Sequence, residues 1–446
     1  MKDLIIIGAG PGGYELALEA SKKGLEVTLI EKEKLGGTCL NCGCIPTKSY
    51  YQNAKVLNEL KKGESFGING DFTFDFSKVK ARKDKVVETL GQGIKFSFNK
   101  TNVEIVEGSA SFIDKNTVLV NGNTYSAKNI VIATGSSPIR NLFEGSNLKG
   151  VLTSEELLDL ETLPKKLVII GGGVIGIEMA TIFNSFGVSV DVIEMCDRIL
   201  PLIDSDISKR LQSYLKAEGI GIHTKSSLQK IEESDGLLKA TFIEKGKETS
   251  IDCDNVLVSV GRAINVEGLN LDKVNVEYTK KGIIVNENYQ TNVPNIYAIG
   301  DVTGKMMLAH NATFSGYRVL NHILGKEDNI NFSLVPSCVF TFPEVASIGK
   351  TKEDLEKESI EAKIVKVLYR NVGKAVAMNE EEGFLKLIIK DNKIIGVHIL
   401  GYDASTLIHE FVPLMNENIS IERVKDYIHA HPTLSEILLI ALREIE

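Results

Sequence analysis

Two stretches of the chain carry the same order of apolar and polar positions. Residues 4–31 read LIIIGAGPGGYELALEASKKGLEVTLIE and residues 167–194 read LVIIGGGVIGIEMATIFNSFGVSVDVIE, and the two align without a gap. Each opens on an unbroken apolar run, the pattern of a strand buried on both faces. A G-x-G-x-x-G segment follows. Apolar positions then recur at helical spacing up to Gly24 or Gly187, and a second apolar run closes on Glu31 or Glu194. The pattern predicts a strand–helix–strand unit used twice.

Both units predict a matching later strand. NIVIATG ends at Gly135, and NVLVSVG ends at Gly261. A further strand, NIYAIGDV, reaches Gly300 and Asp301, and the Asn121-Gly122 pair predicts a hairpin turn before the Gly135 strand. Past residue 333 the pattern changes. FLKLIIKD and IIGVHILG read as strands, followed by amphipathic helices containing STLIHEFVPLMNE and TLSEILLIALREIE. The expected class is α/β. Two Rossmann-like, doubly wound nucleotide-binding domains precede an α+β domain, divided into residues 1–143, 144–263, 264–332 and 333–446.

The glycines have separable tasks. Gly8 and Gly171 make the tight turn off the strand. Gly10 and Gly173 let a pyrophosphate approach the backbone, and Gly13 and Gly176 let helix and strand pack closely. The helix start offers unpaired N–H groups and a positive dipole end to phosphates. Glu31 and Glu194 stand at the same offset from their loops, where a carboxylate accepts from a ribose 2′-hydroxyl. A single glycine-rich turn is weak evidence. Two copies, each closed by an acid, point to two dinucleotide sites.

The 446 residues carry a formal net charge of −8 and no basic stripe, which argues against a nucleic-acid partner. No apolar run reaches the ~18 residues of a membrane span. The first residues lack the features of a signal peptide, so a cytoplasmic setting is expected. Six cysteines are too few for a disulfide scaffold, yet Cys39, Cys42 and Cys44 lie together. Residues alone leave a metal cage, a disulfide and plain packing open; Cys196, Cys253 and Cys338 are distant in sequence.

GGTCLNCGCIPTK at residues 36–48, together with GGGVIGIE, IYAIGD and the C-terminal HAHPTLSE, resembles the class I pyridine nucleotide–disulfide oxidoreductases. The resemblance spans essentially the whole chain. It implies a redox disulfide between Cys39 and Cys44, FAD at the first glycine loop and NAD at the second. It pairs Lys48, near the flavin, with Glu178, beside the nicotinamide. It places Gly135, Asp301, Ala309 and His310 against the flavin nucleotide, Gly261, at the end of the second unit's closing strand, among the cofactor-binding residues, and Glu15 at the outer edge of the FAD site. His431 and Glu436 would act as base and orienting acid in the partner subunit's site, which implies a homodimer whose last domain forms the interface. A histidine titrating near neutrality suits proton removal from a thiol. His429 is expected only to support packing.

Cys42 departs from the family pattern. It reads as a half-buried thiol, as an auxiliary exchanging thiol, or as part of a metal site. The carboxylate of Glu194 disfavours a 2′-phosphate, and a single arginine, Arg198, follows it, so NAD is expected rather than NADP. The chain ends ALREIE, without the C-terminal cysteine pair of mercuric and large thioredoxin reductases. Among the branches it most resembles the one that oxidises dihydrolipoamide. Its substrate would then be a lipoyl group on a protein of a 2-oxo-acid dehydrogenase, acetoin or glycine-cleavage system. A glutathione- or mercuric-reductase-like enzyme is the alternative, and a flavin-binding redox sensor without turnover is a third reading.

Overall fold

A computed structural model describes residues 1–445. The first apolar run forms strand Lys2–Ile7, paired in parallel with Val27–Glu31 on one side and Asn123–Ile132 on the other. Val103–Glu107 extends the sheet beyond Val27–Glu31, and Ile296–Ala298 joins the far side of Asn123–Ile132, again in parallel. The Asn121-Gly122 turn forms as expected, with both residues at positive φ. Strand Asn123–Ile132 does not stop where its pattern changes. Its first half closes an antiparallel hairpin on Thr117–Val120, and its second half enters the parallel sheet.

The second repeat builds the same order. Gly221–His223, Ser189–Ile193, Lys166–Ile170, Asn255–Val258 and Val151–Leu152 form an all-parallel sheet, with an antiparallel three-stranded sheet over residues 226–253 beside it. Helices Pro11–Lys22 and Val174–Ser185 follow the glycine loops, and Gly24 and Gly187 sit just past their ends at φ +84° and +91°. Glycine takes that left-handed cap without a Cβ penalty. The chain then forms an antiparallel five-stranded sheet, from Ser337–Val339 to Lys393–Gly401, covered by short helices. The stretch STLIHEFVPLMNE breaks into Ala404–Leu407, a 3-10 turn and Phe411–Asn416.

One helix joins all three parts. Cys44–Lys61 buries Tyr50, Tyr51 and Ala54 in a core shared with Ile177 and Phe183 of the second repeat and with Val339 and Val345 of the last sheet. Tyr51 stacks on Phe342, with ring centroids 4.7 Å apart, and its hydroxyl donates to Glu344 at 2.9 Å. Asn58 Nδ2 donates to Ser185 Oγ at 3.1 Å, pinning the same helix to the second repeat.

A buried ion cluster makes a second joint. Lys386, in the last sheet, and Asp204, in the second repeat, both have side chains 0% exposed, and the ammonium lies 2.7 Å from the carboxylate. Asp206 reaches the same ammonium at 2.9 Å. Removing one partner of such a cluster strands a charge out of water. Lys386→Met is therefore expected to cost ~3–5 kcal/mol of stability. Urea unfolding followed by circular dichroism checks this, and a midpoint equal to wild type would contradict it.

Candidate functional site

The two glycine loops open onto one cleft of about 2260 Å³ between the repeats. In each loop the first glycine has no room for a side chain. A Cβ at Gly8 (φ +103°) would lie 2.4 Å from Ala133 O, and one at Gly171 (φ +105°) would lie 2.6 Å from Ser259 O. The third glycines are tighter still, with a Cβ at Gly13 or Gly176 falling 1.9 or 2.0 Å from the carbonyl of Gly8 or Gly171. The middle glycines differ: around Gly10 and Gly173 a Cβ would meet nothing within 4 Å. That open space, at helix starts that no side chain caps, is the cradle a pyrophosphate fills.

The closing acids behave alike. Glu31 accepts from Ala9 N at 2.6 Å and Glu33 N at 2.9 Å; Glu194 accepts from Gly172 N and Cys196 N, both at 2.6 Å. Each carboxylate braces its own glycine loop and keeps lone pairs to offer a ribose hydroxyl. Arg198 is engaged elsewhere, donating to Pro201 O at 3.1 Å and facing Glu353 at 3.8 Å. Gly135, Gly261, Asp301 and Ala309 also line the cleft. Asp301 accepts from Ser136 Oγ at 2.6 Å, and Ser136 Oγ in turn accepts from Arg262 Nε at 2.7 Å. Ala309 begins a helix that crosses the first-repeat helix where Gly12 leaves no room: a Cβ there would lie 2.9 Å from Ala312 O. His310 Nε2 meets Pro336 O at 2.9 Å. Burial, with the neighbouring Glu15 carboxylate, pushes the Tyr14 hydroxyl up to about 12.

The cysteine segment lies across the cleft. Cys39 sits in the short helix Gly37–Asn41, and Cys44 is the first residue of Cys44–Lys61. The two thiols lie together, and each is the other's hydrogen-bond partner. The bond from Cys39, aided by the Lys48 ammonium, pulls Cys44 down to about 7 against the opposing pull of burial. The same bond, with burial, pushes Cys39 far up. The opposite shifts favour ionisation at Cys44 over Cys39.

One turn along, Lys48 Nζ contacts both oxygens of Glu178 at 3.0 and 2.8 Å. Glu178 is buried, and Phe340 N donates to it at 2.9 Å, while the Lys48 ammonium stands 4.5 Å from the Phe340 ring centroid. This third contributor directly follows strand Ser337–Val339 of the last sheet and acts through its backbone, which no residue pattern could reveal. Arg262 was within reach of sequence reasoning, since it directly follows Gly261.

Cys42 does not face the pair. Burial and a hydrogen bond to Glu155 of the second repeat push its thiol up to about 12, the environment of an inert packing thiol. Cys338 also lines the cleft, and burial pushes it up to about 11. His431 and Glu436 come together but stand outside the cleft of their own protomer. His431 Nδ1 meets Glu436 Oε1 at 2.9 Å, and Thr433 N donates to the other oxygen at 2.9 Å. The His431 side chain is 77% exposed. His429, by contrast, is half-buried against Glu410. Among the described residues no helix is long and apolar enough to cross a membrane.

Residues 2–316 match the pyridine nucleotide-disulphide oxidoreductase family, and residues 335–441 match its dimerisation domain. A dihydrolipoyl dehydrogenase of Bacillus subtilis is 39% identical over 449 residues, covering 98% of this chain and 97% of that protein. The dihydrolipoyl dehydrogenase of Chlamydia pneumoniae is 38% identical, covering 98% and 95%. Among solved structures, the HOCl-induced flavoprotein disulfide reductase RclA from Escherichia coli matches with a TM-score of 0.90 at 27% identity, covering 100% of both chains. With both parts matched and relatives aligned end to end, the chain belongs to the pyridine nucleotide–disulphide oxidoreductase family and is an FAD- and NAD-dependent enzyme, as its motifs predict.

Proposed function

We propose that the protein is a cytoplasmic, homodimeric dihydrolipoamide dehydrogenase that oxidises a lipoyl group carried by a partner protein, with NAD as acceptor. The lipoyl carrier would belong to a 2-oxo-acid dehydrogenase, acetoin or glycine-cleavage system. One observation carries the reading: the Cys39–Cys44 pair and the Lys48–Glu178 pair stand in the same cleft as two glycine loops, each closed by a carboxylate. Relatives named dihydrolipoyl dehydrogenase support the substrate. Glu194, with Arg198 drawn off to Pro201, supports NAD over NADP. On this reading residues 1–143 and 264–332 hold FAD, residues 144–263 hold NAD, and residues 333–446 pair with the partner.

The residues then act in sequence. His431 of the partner subunit takes a proton from one substrate thiol, with Glu436 fixing its ring. The substrate thiolate attacks Cys39 Sγ of the disulfide form. The Cys39–Cys44 bond breaks, and its electron pair leaves on Cys44 as thiolate. The second substrate thiol, giving up its proton, displaces Cys39 to close the dithiolane. Cys39 takes back one proton and the other is released. Bound FAD supplies the route by which the electron pair reaches NAD. Lys48, held by Glu178, keeps positive charge beside the Cys44 thiolate. Cys42 has no part in these steps.

A substrate matrix on the purified dimer tests the reading. Rapid NAD reduction by dihydrolipoamide, with little NADPH-linked reduction of glutathione disulfide, is expected. Turnover confined to NADPH and another disulfide would move the enzyme to another branch. His431→Gln should keep its flavin and lose ~10²–10⁴-fold in dihydrolipoamide oxidation, the range of a general base. In the same assay Cys42→Val should keep most activity. Near-normal turnover of the first, or loss in the second at full flavin content, would contradict these roles. The reduced protein should show ultraviolet thiolate absorbance rising with pH about a midpoint near 7, since Cys44 is protonated below its lowered pKa and ionised above it. Cys39→Ala removes the hydrogen-bond donor, so the midpoint should climb toward the ordinary thiol value of about 8.5.

A further inference from the structure

The second glycine loop has an outer wall that is neither helix nor strand. Residues 195–203 run as an irregular strap from Glu194 to the helix start at Asp204. Met195, Cys196, Pro201 and Leu202 of the strap line the cleft. Leu202 is 93% exposed and Met195 is 74% exposed, so two large apolar side chains stand uncovered in the cleft that Glu194 also lines. Isolated exposed apolar side chains are ordinary. Two on the wall of a dinucleotide cleft form a surface suited to the flat apolar face of a purine.

The strap is anchored at both ends, on two bodies. At its inner end Cys196 N is bound to Glu194, and Leu200 N donates to Gly172 O at 2.8 Å. Leu200 has φ +46°, a conformation that a side-chain-bearing residue keeps only where its surroundings impose it. At the outer end the surroundings belong to the last sheet. Lys386 Nζ donates to both oxygens of Asp204 at 2.9 and 2.7 Å, and Lys352 N donates to the carboxylate at 3.1 Å. Glu353, one residue on, faces Arg198 of the strap.

We infer that Lys386 is a positioning residue for NAD: through Asp204 it holds the 195–203 strap against the adenosine half of the nucleotide, tying nucleotide affinity to the dimerisation domain. The inference rests on the assignment of NAD to the second glycine loop. Lys386 touches no reacting atom, so it acts on binding and not on the thiol chemistry.

Lys386→Met strands Asp204 and Asp206 and tests folding as much as binding. Asp204→Asn is the sharper variant: it keeps the side chain's shape and leaves Lys386 paired with Asp206. In the Asp204→Asn holoenzyme the KM for NAD and the NADH dissociation constant, read by fluorescence, should rise about fivefold or more, the lower end of typical coupling between sites. The kcat, the KM for dihydrolipoamide and the anaerobic reduction of bound flavin by dihydrolipoamide should stay within about twofold, below that coupling range. An unmoved KM for NAD overturns the inference, as does an equal rise in both KM values. Wild-type protein that binds no NADH and turns over no NAD overturns the functional reading, and this inference with it.

Discussion

The ion pair between Lys48 and Glu178 is the point on which the site depends. Lys48 rides on the helix that begins at Cys44; Glu178 rides on the helix that begins at the second glycine loop. Their contact fixes the distance between a thiol pair on one body and a nucleotide cradle on another. Glu178 is nearly out of solvent, where an unpaired carboxylate is costly, so the pair resists opening. Phe340 adds a backbone donor and an aromatic face from a third body. Three parts of the fold thus meet at two charges, and none of them can shift without exposing or stranding one.

The same economy recurs at the sulfur pair. A thiol at a helix start, beside a second thiol and faced by an ammonium, has its pKa drawn down. Cys42, two residues away in sequence, has none of these contacts and a carboxylate for a neighbour. Adjacent cysteines therefore differ in reactivity through their surroundings alone. The exposed His431, oriented by Glu436, is not among the residues lining its own protomer's cleft.

Buried charge also links the nucleotide cleft to the last sheet. Lys386 and Asp204 are both fully enclosed, and their desolvation is offset by close contact and by further donors. Apolar residues of similar size would serve cohesion equally well. What an ion cluster adds is registry: it accepts a single placement of the strap that walls the second glycine loop.

Much of this was legible in the chain. The repeat, the paired glycine loops, the closing glutamates, the Asn121-Gly122 turn and the helix-ending glycines all follow from local periodicity and from conformations only glycine takes easily. Those features are local, so sequence determined them. It did not determine that STLIHEFVPLMNE would break into short turns, that strand Asn123–Ile132 would serve two sheets, or that Glu178 would draw a donor from Phe340. Nor could it give Cys42 its neighbour Glu155, or join Asp204 to Lys386. These outcomes rest on contacts between residues far apart in the chain, whose energies depend on burial and on the placement of whole elements. Tertiary structure alone decides them, because only packing sets which polar groups lose water and which partners remain to satisfy them.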